Sequence, residues 1–293
     1  MVITLLVLST AKIYQKSNCF DLSLGALKIK YTMNIKLTPI LDKITGSVIL
    51  VGIIAACSLC CFPAFGQESE APIEKSFKKT ITKNYELGYL LNLPKDFSDK
   101  TKKRWPLILF LHGAGERGND LQKVAVHGPP KLASQKSYLS PFIVISPQCP
   151  EGERWDPDIL IHFVDYIAEE YPVDKKRIYL TGLSMGGYGT WALVSKYPQI
   201  FAAAAPICGG GNPINIKLSK PAAKKAIAQL PVWNFHGLKD TVVPPQRSDV
   251  MVQAMMEIGG NIRYTRYPEA HHDSWTATYS NADLYEWFLS HSK

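Results

Sequence analysis

The chain has 293 residues, 46% hydrophobic and 20% charged, with 33 Lys and Arg against 25 Asp and Glu for a net charge of +8. That balance belongs to a globular chain and excludes a disordered or collagen-like one. No run of Lys and Arg is interleaved with aromatic residues, so the positive excess is not a nucleic-acid footprint.

Residues 1–66 stand apart. Between Ile44 and Gln67 there is no charged residue, Val48 to Ala56 is an apolar run, and Lys36 and Lys43 precede it. Ala64-Phe65-Gly66 sets small residues at the spacing a signal peptidase reads, so a secretory leader cut before Gln67 is expected. Its pattern begins at Met33, which leaves residues 1–32 as an over-called start. Two rival readings stay open. Ile54-Ala55-Ala56-Cys57 resembles a lipoprotein signal that would tether the protein through a lipidated Cys57, and an uncleaved apolar run can anchor in a bilayer. The leader implies a secreted or periplasmic protein whose mature domain makes no stable membrane insertion. Without residues 1–66 the chain keeps 27 basic and 23 acidic residues, a charge of +4, and residues 67–293 suit a single α/β domain.

Tyr85 to Leu93 reads as an antiparallel edge arm, closed by Pro94 and a polar stretch to Arg104. Pro106 to Leu111 is continuously apolar, as a parallel strand covered on both faces must be. Phe142 to Ser146, Ile178 to Thr181, Phe201 to Ile207 and Val232 to Phe235 repeat that character, and Ile262 to Tyr267 is the last strand. Helical patterns lie between them: Ile159, Phe163 and Ile167 at four-residue spacing, then Met185 to Lys196, Ser248 to Ile258 and Ala282 to Ser290. Strand and helix alternate, so the sheet is predicted to be mainly parallel with helices on both faces. Cys149 and Cys208 each follow an apolar strand. They either pair across the top of the sheet or stay as two buried thiols. Neither belongs to a C-x-x-C pair, and no His/Cys cluster has metal spacing.

The chemistry concentrates in loops after strands. Gly182-Leu183-Ser184-Met185-Gly186 is a G-x-S-x-G pattern between an apolar strand and a helix. A turn that sharp strains the serine backbone and pushes Ser184 out at the top of the sheet, with the positive end of the following helix beside it. The glycine-rich loop His112 to Gly118 can offer backbone N–H groups to an oxyanion; Ala114 is its candidate donor, and Met185 the donor from the elbow. An acyl-transfer serine needs an imidazole and an orienting carboxylate, and Asp240 and then His271 or His272 follow in the order expected for an elbow serine. His112, His127, His162 and His236 read as structural histidines. Trp155 and Trp275 are candidate cleft aromatics, positioned to stack on a sugar or phenolic ring.

Taken together, LFLHGAGERG, VISPQCPEGERW, TGLSMGGYGTW, FHGLKDTVVP and AHHDSW resemble the α/β-hydrolase esterases. More narrowly they resemble the secreted polyhydroxybutyrate-depolymerase and feruloyl-esterase-like group, also labelled predicted peptidases. The resemblance covers Tyr85 to Ser290. It implies an α/β-hydrolase fold with nucleophile Ser184, acid Asp240 and, as the histidine just before Asp-Ser-Trp, base His272. It implies hydrolysis of carboxylic esters without metal or organic cofactor and does not fix the substrate; the leading reading is a bulky or polymeric ester. Only about twenty residues, rich in Gly, Ala and Lys, separate Cys208 from Pro231, so no large lid or cap is expected. Two other readings compete: a serine peptidase of small peptides, and a catalytically silent hydrolase fold used for binding.

Overall fold

A computed structural model describes residues 12–16, 19–24, 27–32, 72–98 and 102–293. The chain divides into two compact units, Met1–Lys79 and Thr80–Lys293. In the first, strands β1 (Lys12–Lys16), β2 (Cys19–Leu24) and β3 (Leu27–Thr32) pair as an antiparallel sheet, within the stretch read from sequence as an over-called start. The expected leader, its cleavage before Gln67 and Cys57 lie outside the described residues. Among the described residues no helix is long and apolar enough to cross a membrane.

The second unit is a seven-stranded sheet. Its strands are β4 (Tyr89–Asn92), β5 (Trp105–Leu111), β6 (Ile143–Pro147), β7 (Val173–Leu183), β8 (Ala203–Ile207), β9 (Val232–Gly237) and β10 (Ile262–Tyr267). The order across the sheet is β10-β9-β8-β7-β5-β6-β4, all parallel except the edge strand β4, which runs antiparallel to β6. Every residue of β5, β6, β8 and β9 is buried, so these strands are apolar without alternation. The connecting helices are α1 (Gly128–Leu132), α2 (Pro157–Glu170), α3 (Met185–Lys196), α4 (Ile214–Lys217), α5 (Pro221–Gln229), α6 (Gln246–Glu257), α7 (Trp275–Tyr279) and α8 (Ala282–Leu289).

Two apolar layers cover the faces. Trp105, Leu107, Leu109 and Leu180 pack beneath Phe163, Ile167, Trp191 and Met255 on one side. Ile108, Phe110, Tyr179 and Ala205 pack beneath Tyr279, Tyr285 and Phe288 on the other. β4 is shorter than the arm read from sequence, spanning only the residues that register with Val144 to Pro147. β7 is longer, because its first half (Val173 to Arg177) continues past the core with exposed lysines. Four helices escaped the sequence pattern: α1, α4 and α7 are a turn or so long, and α5 buries only Ile227. A single buried position gives no periodicity to read.

Candidate active site

The first turn of α3 decides the geometry. Ser184 has φ 52 and ψ −114, a backbone conformation that L-residues avoid. It occupies the N-cap position, yet its hydroxyl makes no capping bond. The hydroxyl instead faces His272, with Oγ 2.9 Å from Nε2. Two glycines make this turn possible. A Cβ on Gly186 would sit 1.9 Å from the Leu111 carbonyl oxygen, and one on Gly182 would sit 2.5 Å from the Gly186 carbonyl oxygen. The elbow therefore packs backbone against backbone, anchored where Ser184 N–H donates to the Ile207 carbonyl at 3.0 Å.

His272 Nδ1 lies 2.7 Å from Asp240 Oδ2, so the imidazole bridges serine and carboxylate. Asp240 is 4% exposed, and its other oxygen accepts the backbone N–H groups of Val242 and Val243, each at 2.9 Å. Those bonds fix the orientation of the carboxylate. His271, the alternative base, is exposed and turns its Nδ1 to the Lys239 carbonyl at 3.1 Å. Of the two adjacent histidines, His272 is the one that reaches Ser184.

His236 is a part of this network that sequence reasoning missed. It is fully buried on β9, and its Nε2 lies 3.2 Å from Asp240 Oδ2 and 2.9 Å from the Val243 carbonyl. Both are acceptors, so Nε2 carries the proton and donates to the same carboxylate oxygen that His272 contacts. Nδ1 lies 2.7 Å from Ser248 Oγ. The available signal was the four-residue spacing from His236 to Asp240 across a tight turn.

The glycine-rich loop after β5 is tied down by two side chains. The Gln148 amide donates to the carbonyls of Glu116 and Asp120, both at 2.8 Å, and ties the loop after β5 to the end of β6. His112 is a second strut. Its Nε2 accepts the Cys149 N–H at 2.9 Å and its Nδ1 donates to the Gly113 carbonyl at 2.6 Å, which requires the neutral ring. Burial pushes its pKa down to about 4. An unfolded histidine takes its proton near pH 6.5, so between about 6.5 and 4 the unfolded chain binds more protons than the folded one. Stability from this group is complete above that window and falls as pH drops through it, by on the order of 3 kcal/mol. Thermal melts should show Tm falling between pH 6.5 and 4.5, and His112→Gln should flatten the fall. An unchanged slope in the variant would place the acid sensitivity elsewhere.

The serine opens onto a cleft of about 680 Å³ whose walls include Ala114, Met185, Tyr188 and three arginines, Arg117, Arg154 and Arg247. Both candidate oxyanion donors thus border the space beside Ser184. Trp155 also borders it, but as a wall: it is 9% exposed and its indole N–H donates to the His112 carbonyl at 3.1 Å. Trp275 is half-buried and meets the His272 ring edge-on, centroids 5.3 Å apart. It supports the histidine and is not among the residues lining the cleft. Cys149 and Cys208 are separate buried thiols and not a disulfide. Burial pushes Cys149 up to about 11 and Cys208 higher still, so neither is a nucleophile. Cys208 Sγ instead accepts from Ser184 N–H at 3.3 Å.

The Dienelactone hydrolase family model matches residues 153–285. A bifunctional acetylxylan esterase/xylanase of Neocallimastix patriciarum is 32% identical over 48% of this chain and 20% of its own length. Feruloyl esterase B of Thermothelomyces thermophilus is 26% identical over 53% of this chain and 66% of its own. The chain therefore spans between a fifth and two thirds of these relatives. A solved thermostable esterase superposes with a TM-score of 0.62 at 35% identity, over 71% of this chain and 60% of that one. A parallel sheet in this strand order, a strained serine at the β7–α3 turn and neighbours of this kind lead to one conclusion: the chain has the α/β-hydrolase fold, and the proteins it is similar to are named as esterases.

Proposed function

We propose that the protein is a secreted or periplasmic serine hydrolase that cleaves carboxylic esters with short or aromatic acyl groups, free or borne on a polymer. The observation that carries this is the continuous link from Ser184 Oγ through His272 to Asp240, at 2.9 and 2.7 Å. In the proposed cycle His272 Nε2 takes the proton of Ser184 as Oγ attacks the ester carbonyl. The N–H groups of Met185 and Ala114 stabilise the oxyanion, and the positive end of α3 adds to them. The imidazolium, oriented by Asp240, passes its proton to the departing alcohol. Water then repeats the sequence on the acyl-serine, releasing the acid and restoring the hydroxyl.

The cleft supports short or flat acyl groups. Among the described residues its lining includes none from 212–230, the segment that holds α4 and α5. A long acyl chain gains about 25 cal/mol per Å² only where apolar surface encloses it, and three arginines border this space. Turnover of p-nitrophenyl esters should therefore fall steeply beyond about eight carbons, with no jump in rate when droplets form. A preference for the longest chains would overturn this substrate range. Labelling by a fluorophosphonate probe, lost in Ser184→Ala, tests the nucleophile itself; labelling that persists in the variant would overturn it.

A further inference from the structure

The charged side chains of the second unit are mostly paired, and the exceptions gather at one place. Of its seven arginines, Arg177 and Arg266 bridge to aspartates, Arg263 lies on the Trp233 ring, and Arg104 donates to the Val173 carbonyl. Arg117 donates to the carbonyls of Ala114 and Glu153. Arg154 and Arg247 remain, both exposed and with no side-chain hydrogen bond, ion pair or ring contact to another described residue. Both border the cleft of Ser184, as does Arg117. Of the acids on these loops, Asp156 pairs with Lys83, Glu153 accepts from the Tyr85 hydroxyl, and Glu116 faces His112 and His127 at 3.9 Å. No carboxylate lies within ion-pair distance of any of the three among the described residues.

Their placement is two-sided. Arg117 and Arg154 arrive from the loops after β5 and β6, and Arg247 from the first turn of α6, after β9. In the sheet, β5 and β6 lie on one side of β7, which carries the serine, and β9 on the other. The cleft beside Ser184 is therefore lined by arginines from both sides of β7. Guanidinium groups present planar, paired donors that match a carboxylate, and an uncompensated cluster raises the local concentration of anions.

We infer that the substrate is an anionic ester, one that carries a carboxylate on its acyl or its alcohol portion, bound by Arg154 and Arg247, with Arg117 on the loop after β5 adding to their field. A half-ester of a dicarboxylic acid and an esterified uronic-acid saccharide both meet that description. This substrate class presupposes Ser184 as the nucleophile, as proposed above.

The test separates binding from chemistry. On Ser184→Ala protein, which keeps the cleft, affinity is measured by ligand-observed NMR for two matched pairs. The first is 4-acetoxybenzoate against 4-acetoxybenzamide, with the charge on the alcohol side. The second is a mono-ester of adipic acid against the same ester of adipamic acid, with the charge on the acyl side. In at least one pair the anion should bind more tightly, and the pair that does assigns the charged end. Replacing Arg154 and Arg247 by Gln should lower that preference about tenfold, the sum of two exposed charge pairs, and 0.5 M salt should shrink it likewise. In the wild-type enzyme the preference should lie in KM and not in kcat. Equal affinity within both pairs, or a preference unmoved by the double variant, overturns the inference whether or not the enzyme turns over esters. Loss of fluorophosphonate labelling in the wild type would instead overturn the nucleophile, a separable outcome.

Discussion

Ser184→Ala and His272→Ala should each lower kcat by about four to six orders of magnitude, and the double variant should cost little more than either alone. In the proposed cycle the two groups act as one unit. Without His272 nothing takes the proton of Ser184, and without Oγ the imidazole has no nucleophile to activate. Far-ultraviolet circular dichroism should be unchanged, because Ser184 Oγ caps no helix end and His272 is only partly buried. His271→Ala is the matched control: its Nδ1 holds only the Lys239 carbonyl, so the rate should move little. Steady-state rates on an aryl acetate decide it, and an inactive His271→Ala beside an active His272→Ala would reverse the assignment.

Gly186→Ala should destabilise the fold by about 4 kcal/mol or more, or prevent accumulation of soluble protein. The added methyl would stand 1.9 Å from Leu111 O and 2.9 Å from His112 O. These obstacles are backbone atoms in the middle of a fully buried strand end, so no rotamer change relieves the clash. Relief requires α3 to lift away from β5, which would open the layer that holds Trp191 and carry Ser184 off His272. Gly115→Ala supplies the contrast, since a Cβ there meets nothing within 4 Å and φ is not in the left-handed region. Denaturant unfolding of the two variants should differ by nearly the whole effect, and equal midpoints would mean that the elbow tolerates separation.

Sequence carried the central strands and the elbow because each announces itself locally. Leu107 to Leu111 is apolar without interruption, and Met185 to Lys196 matches its helix end for end. Ser184, Asp240 and His272 were legible for a related reason: each is the polar residue just past such a strand, and the order along the chain is itself a signal. The remainder lies in contacts between segments distant in sequence. His236 looks like any strand-end histidine until Asp240 folds back to it, and Trp155 reads as a stacking face until its N–H reaches His112 O and buries it in the wall. Arg117, Arg154 and Arg247 are far apart in sequence and come together only when the loops after β5, β6 and β9 gather around β7. The cysteines were ambiguous because position after a strand says nothing of the distance between two sulfurs.

The parallel sheet gives the second unit a front and a back. Every group assigned to the reaction stands at the carboxyl ends of β5, β7, β9 and β10, while the amino ends of β5 and β7 meet a polar surface that includes Lys102, Lys103 and Lys175. In residues 72–293 the two native thiols are buried. A single cysteine substituted at Lys102 or Lys175 would therefore be the one reactive sulfur of that unit on its rear surface. Coupled through it to a bead or electrode, every molecule would face its cleft outward, toward a dissolved polymer or a solid film.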